Sequence, residues 1–270
     1  MPFGEGRVER HAVALDRDTT ESLRRRAATG PLPGDASLFV ELCTALVAFL
    51  HLVSGARRLR VGVPFANRPT RAFKETLGSF MHVCPLVLEV RRGETFAGLR
   101  SQIARELFEA ATHQHVALPN PPRDRIYEVV LNLVRFSDVA RTFDGRPVHA
   151  EWPSVGFGNV PFAVAARDLG TAGELVLDLD LGAEAFGSAR RAEIRDHLAR
   201  VVCACARDAE MPIERVPLLS PAEERTLLVD WNETDVPLPR DTTVVDLFSA
   251  RAREQPDRIT VDAGVASVTY

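Results

Sequence analysis

The triplet His82-Val83-Cys84 sets an imidazole and a thiol two residues apart. On a β-strand, neighbours separated by two share a face, so the two side chains can meet and could serve as base and nucleophile in covalent catalysis. No third residue that would orient the imidazole is evident, so covalent catalysis is not expected here; lining a cleft and simple packing are the two readings left open. His113 and His115 flank Gln114 and could supply half of a metal site. No cysteine pair lies beside them, however, and histidines at a helix end more often cap the last carbonyls, so metal binding is not expected. Asn67 and Arg68 stand just after a strand end, where a guanidinium can pin a loop through paired bonds to carbonyls. A structural clamp is favoured there over substrate contact. Gly156-Phe157-Gly158 does not fall between a strand and a helix, so it is not expected to cradle a nucleotide.

The elements that must position these residues follow from periodicity and caps. Arg7 to Leu15 reads as an edge strand, and Asp18-Thr19-Thr20-Glu21 opens a helix that Gly30-Pro31 stops. Arg24, Arg25 and Arg26 spread around that helix and are expected to form a solvated face. Between Ser37 and Val53 apolar residues occupy nearly every side, which marks a buried helix under a sheet. Leu59 to Pro64 and Pro85 to Val90 read as strands. Thr95 caps a helix whose apolar positions are Phe96, Leu99, Ile103 and Leu107. Glu128 to Leu133 and Phe162 to Ala166 are further strands, with a long irregular stretch over Ser137 to Gly158. From Glu174 to Leu181 leucines alternate with Asp178 and Asp180, so one side is expected to meet water. Ser188 is expected to cap the last large helix, with Ile194, Leu198, Val201 and Cys205 inside.

The 270 residues are 46% hydrophobic and 26% charged, with a formal net charge of −4, an ordinary globular composition. Near-balanced charge gives no reason to expect nucleic acid or an anionic membrane as partner. Glu41 and His51 interrupt the most apolar run, so no membrane span is expected, and the first residues lack the pattern of an export signal. Cys43, Cys84, Cys203 and Cys205 show no C-x-x-C spacing, which favours reduced thiols in a cytoplasmic protein.

The final fifty-odd residues read as a connector. Ser220, Pro221 and Glu223 make a capping box with proline at the first helical position, and Trp231-Asn232 ends that helix. Pro237, Pro239, Arg240 and Asp241 keep the next stretch extended. Thr243 with Asp246 caps another helix that Pro256 closes, and two short apolar runs around Gly264 can pair as a hairpin.

This order, from Leu218-Leu219-Ser220-Pro221 through Asp230-Trp231-Asn232 to Val268-Thr269-Tyr270, resembles the seam between a condensation domain and an adenylation domain in nonribosomal peptide synthetases. Gly62-Val63-Pro64-Phe65-Ala66-Asn67-Arg68 is similar to the family's G-x-P-x-(A/S)-x-R loop. Leu77-Gly78-Ser79-Phe80-Met81 resembles its (I/L)-G-x-F-V-N-T element, and His113-Gln114 with Pro119 its H-Q-x-x-x-P pattern. The seven histidines include no adjacent pair, so the catalytic H-H-x-x-x-D-G of the family's N-terminal lobe is not among these residues.

The resemblance implies an α/β fold: a chloramphenicol-acetyltransferase-like lobe, with a mixed sheet and flanking helices. It divides the chain into a C-terminal condensation lobe over 1–217, a linker over 218–240 and the start of an adenylation domain over 241–270. It also implies amide formation between carrier-bound aminoacyl or peptidyl thioesters, with phosphopantetheine on peptidyl carrier proteins and no cofactor bound directly. The adenylation domain and an N-terminal lobe are the other implied partners. No catalytic residue is assigned; Asn67, Arg68, Gly78, Phe80 and His82 fall where the family builds its cleft or tunnel wall. A non-catalytic platform or decayed gene product is the alternative, and a stand-alone acyltransferase of the same fold is a third, disfavoured by the linker. A lobe without its partner is expected to expose apolar surface. The amino acids joined and the donor stereochemistry are not legible.

Overall fold

A computed structural model describes residues 6–68, 70–116, 126–135, 142–144, 146–147, 152–168, 175–235 and 242–270. Pro119, Pro237, Pro239, Arg240, Asp241, Ser137 and Glu174 lie outside the described residues. The chain divides into two units, Met1–Leu219 and Ser220–Tyr270.

The first unit begins with strand β1 (Gly6–Ala14) and helices α1 (Arg17–Ala28) and α2 (Asp35–Ser54), followed by β2 (Arg58–Phe65), a short α3 (Arg71–Glu75), β3 (His82–Glu89) and α4 (Phe96–Thr112). Next come β4 (Val129–Arg135), the short strands β5 (Thr142–Phe143), β6 (Arg146–Pro147) and β7 (Phe157–Gly158), then β8 (Phe162–Asp168), β9 (Leu175–Gly182) and α5 (Ser188–Arg207). A seven-stranded sheet has the order β3-β2-β4-β8-β9-β1-β7. Strand β4 runs parallel to β2 and β8, while the other pairs are antiparallel, so the sheet is mixed.

Helix α2 is the keystone. Thirteen consecutive residues, Ser37 to Phe49, are buried, because its apolar side chains face the sheet on one side and α1, α4 and α5 on the others. Leu175, Leu177, Leu179 and Leu181 of β9 supply the sheet's side of the core, and Phe162 meets both Phe49 and Phe186 edge-on at 6.5 Å. At 20 residues, with mean hydropathy 2.0 over its most apolar window, α2 is long and apolar enough to cross a membrane. Glu41 and His51 do not by themselves keep it below that threshold. The burial of 72% of that window inside the fold identifies it as a core helix.

Several local expectations shift. Helix α1 starts earlier than expected, with Asp16 as its cap accepting from the Thr19 amide at 2.7 Å. Backbone and side-chain hydrogen bonds from Thr19 hold the Asp16 carboxyl below its ordinary range. Asp16→Ala is expected to cost about 1 kcal/mol, measured by urea unfolding at neutral pH. Because the folded pKa is lowered, this contribution is present above the unfolded pKa of about 3.9. It fades as pH falls through the folded value. A difference that grew on acidification would contradict the capping role. Helix α5 takes Gly187 as its N-cap, with no side-chain cap bond, so Ser188 is its first helical residue rather than the cap. Strand β1 is not the outermost strand, since Gly6 and Arg7 pair with Gly158 and Phe157 of β7.

Three charged side chains, Arg24, Arg26 and Asp178, also depart from expectation. Arg24 pairs with buried Asp168 at 2.6 Å, and Arg26 reaches buried Glu41 at 2.7 Å and the Cys205 carbonyl, so only Arg25 of the three has an exposed position. Asp178 does not meet water. It is 1% exposed on the sheet face opposite the helices, where Arg167 grips it through two bonds of 2.5 and 3.0 Å. Arg10 lies 3.8 Å from Asp178 and makes a paired bond to Asp180 at 2.6 and 2.8 Å. Small neighbours Ala12 and Ala165, paired with Asp178 on either side, leave room for these arginines to lie across the sheet.

The second unit contains α6 (Pro221–Leu228), α7 (Val244–Glu254) and a hairpin of β10 (Ile259–Asp262) with β11 (Ser267–Thr269). Both helices carry reciprocal capping boxes, Ser220 with Glu223 and Thr243 with Asp246. Val244, Val245, Leu247 and Phe248 of α7 are exposed, so this unit buries little of its apolar surface.

Candidate functional site

The residues singled out by type and spacing gather at one end of β2 and β3. Strand β2 delivers Phe65 opposite His82, and Val63 opposite Cys84. The chain then turns through Asn67 in the left-handed region at φ 50, a conformation asparagine tolerates better than most side chains. That turn aims Arg68 back over the loop it begins. Its guanidinium donates to the carbonyls of Phe73, Thr76 (2.8 Å) and Gly78 (2.7 Å), and lies 4.7 Å above the Phe80 ring. Phe80 packs edge-on against Phe73 at 5.5 Å. Gly78 adopts φ 142, open to glycine alone without strain. Asn67, Arg68, Gly78 and Phe80 therefore form one clamp that fixes the 66–81 loop.

Arg68→Ala removes all three donors and the ring contact. Each charge-assisted bond is worth more than a neutral one, but these are solvent-exposed, so a total cost of about 1–2 kcal/mol is expected. Limited proteolysis should show new cleavage between residues 69 and 81, with Arg68→Lys only partly protecting, because a single ammonium cannot fork to three carbonyls. Unchanged protection in Arg68→Ala would remove the clamp.

His82 begins β3, which starts three residues earlier than expected, and the strand period brings its Nε2 to 3.1 Å from the Cys84 sulfur. Burial pushes the Cys84 thiol up, so it is protonated at neutral pH and needs its neighbour to act as a nucleophile. Beside the pair, Gly62 allows a close approach: a Cβ there would come within 2.8 Å of both Tyr127 and Val83. Burial, and secondarily Cys84, raises the Tyr127 phenol. Around the clamp, Leu77 is 97% exposed and Met81 63%, an apolar rim on the same loop.

Other tempting groups resolve differently. His113 is the C-cap of α4, its ring nitrogen 2.9 Å from the Glu109 carbonyl, and His115 is exposed. Among the described residues no cluster of three or more His, Cys, Asp or Glu is arranged to hold a metal. Gly158 belongs to the short strand β7, not to a phosphate loop. A cavity of about 670 Å³ lies at the carboxyl ends of β4 and β8, but its charged lining is already matched, Arg24 with Asp168 and Arg135 with Asp35 at 2.6 Å. The arginine–aspartate ladder of Arg10, Asp178, Asp180 and Arg167 was missed by sequence reasoning. Its only signal was the pairing of an aspartate-bearing strand with arginine-bearing neighbours, which requires knowing the register.

Residues 6–124 match the family model described as Condensation domain. The chain is 24% identical to surfactin synthase subunit 1 of Bacillus subtilis (strain 168) over 97% of its own length and 7% of that protein. It is 24% identical to malpibaldin synthetase of Mortierella alpina over 96% of its length and 5% of that protein. Among solved structures, a mutant starter condensation domain of rhizomide synthetase RzmA, in complex with C8-CoA and Leu-SNAC, superposes with TM-score 0.68 at 20% identity. That match covers 79% of this chain and 48% of the other. The first condensation domain of the CDA synthetase gives TM-score 0.68 at 20% identity, covering 79% and 47%. The chain thus spans about half the length of the solved domains it resembles, and 7% or less of these two relatives. Its α/β architecture is the chloramphenicol-acetyltransferase-like fold of those condensation domains, and the match to the Condensation domain model covers residues 6–124.

Proposed function

We propose that residues 1–217 form the C-terminal lobe of a condensation domain and provide one wall of the cleft in which an amide bond is made between carrier-bound acyl groups. The observation that carries this reading is the superposition of 79% of the chain on about half of a solved condensation domain. Residues 218–240 are the linker to a following adenylation domain, and 241–270 its opening elements; the two capping boxes and the extent of the surfactin synthase match, 97% of the chain, support this. The donor and acceptor arrive as thioesters on the phosphopantetheine arms of peptidyl carrier proteins, and this lobe binds no cofactor of its own. The RzmA domain bound to C8-CoA and Leu-SNAC supports thioesters as the substrate class.

In this reading the loop clamped by Arg68, with Asn67, Gly78, Phe80 and His82, is cleft wall and takes no part in amide formation. The wall excludes water and holds the reacting atoms in register, which contributes through orientation and a lowered local dielectric. The proton of the attacking amine goes to a histidine of the opposing lobe's H-H-x-x-x-D-G, a motif these 270 residues do not contain. The test is assembly. Mixed with an N-terminal condensation lobe bearing that motif, the chain should elute as a one-to-one complex in size-exclusion chromatography with light scattering. A chain that stays monomeric, with no complex at tens of micromolar, would remove the reading.

A further inference from the structure

Four thiols are present, and their surroundings separate them. Burial pushes Cys43 and Cys205 up to about 12, which leaves both inert at neutral pH. Cys203 has the Thr19 hydroxyl at 3.6 Å, which is no base. Cys84 is half-buried and has an imidazole nitrogen at 3.1 Å. It stands on β3, at one edge of the sheet among the described residues. Val63 faces it across the ladder and Phe65 faces His82, so two apolar side chains adjoin the pair on its own face of the sheet. No part of the clamp formed by Arg68 uses either side chain.

We propose that Cys84, with His82 as its base, is an acyl-acceptor site that takes the acyl group from a thioester. The substrate class rests on the condensation reading; the dyad rests on its own geometry. In the step, the Cys84 S–H proton passes to His82 Nε2 as the sulfur attacks the thioester carbonyl carbon. A new carbon–sulfur bond forms at Cys84, the bond to the donor's sulfur breaks, and the departing thiolate takes the proton back from His82. No oxidant or further reactant is consumed, and a free thiol reverses the transfer.

The test uses the full chain and a small soluble donor, octanoyl-N-acetylcysteamine thioester. Intact-mass spectrometry should show one octanoyl addition, peptide mapping should place it on Cys84, and neutral hydroxylamine should remove it. Cys84→Ser should abolish the adduct. His82→Gln, with its fold checked by circular dichroism, should slow acylation about a hundredfold, within the range a positioned base supplies. Absence of an adduct on the unaltered chain, an adduct on Cys203 instead, or an unchanged rate in His82→Gln would each overturn the proposal. Mapping on the unaltered chain keeps the test valid if a variant misfolds. No carrier protein or second lobe takes part, so a failure here leaves the amide-forming reading standing, and a failure of that reading leaves this result intact.

Discussion

Glu41→Ala is expected to cost about 3 kcal/mol of stability, a larger loss than any other single carboxylate removal considered for this fold. Glu41 sits on α2 with 1% of its side chain exposed, between Arg26 at 2.7 Å and Arg100 at 3.1 Å. Removing one member of a buried ionic group leaves the others desolvated without compensation, which costs about 3–5 kcal/mol. The lower end applies because Arg26 and Arg100 keep 17% and 27% exposure and can recover some hydration. Urea unfolding followed by circular dichroism, with the slope unchanged, measures this directly. The exposed pair of Arg71 and Glu75 has the same chemistry at 2.7 Å, yet Glu75→Ala should cost under about 0.5 kcal/mol. Equal costs at the two sites would mean that burial is not what makes Glu41 matter.

Asp178→Ala should cost about 2–3 kcal/mol, and Asp178→Asn less, since the amide keeps its volume and one acceptor. Here Arg167 would lose both of its bonds, at 2.5 and 3.0 Å. Arg10 would keep its paired bond to Asp180 and its donation to the Trp152 carbonyl at 2.5 Å. The hydrogen bond to Asp180 also raises the Arg10 pKa, so Arg10 stays charged throughout the accessible range. Buried pairs are weakly screened, so raising salt to about 1 M should leave the Asp178→Ala difference nearly unchanged. A difference that vanished in salt would place this interaction at the surface.

These two carboxylates also mark where sequence reasoning stops. Helix α2 was legible because its apolar residues fill every side, a pattern that needs no knowledge of partners. The capping boxes at Ser220 and Thr243 were legible for the same reason: donor and acceptor lie three residues apart. The alternation in β9 correctly placed its leucines inward. It could not reveal what covers Asp178, because its arginine partners come from β8 and β1, and Arg10 reaches the neighbouring Asp180 from 170 residues away. Register, not composition, decides whether such a face is wet. Arg24 and Arg26 escaped detection likewise, since Asp168 and Glu41 lie on other elements.

The site divides the same way. The contact between His82 and Cys84 follows from strand period, and is found at 3.1 Å. Arg68 was legible as a clamp, but its acceptors were not. They are backbone carbonyls of Phe73, Thr76 and Gly78, and a carbonyl has no letter in the sequence. Leu77 and Met81, on the same loop, are exposed.

The central claim is that this lobe contributes a wall and not the reaction. It is tested most directly by offering the chain two loaded carrier proteins, donor and acceptor, and measuring dipeptidyl thioester by mass spectrometry. The chain alone should yield no product above the buffer background, and addition of an N-terminal lobe bearing H-H-x-x-x-D-G should restore turnover. Dipeptide formed by the chain alone, well above background, would contradict the account.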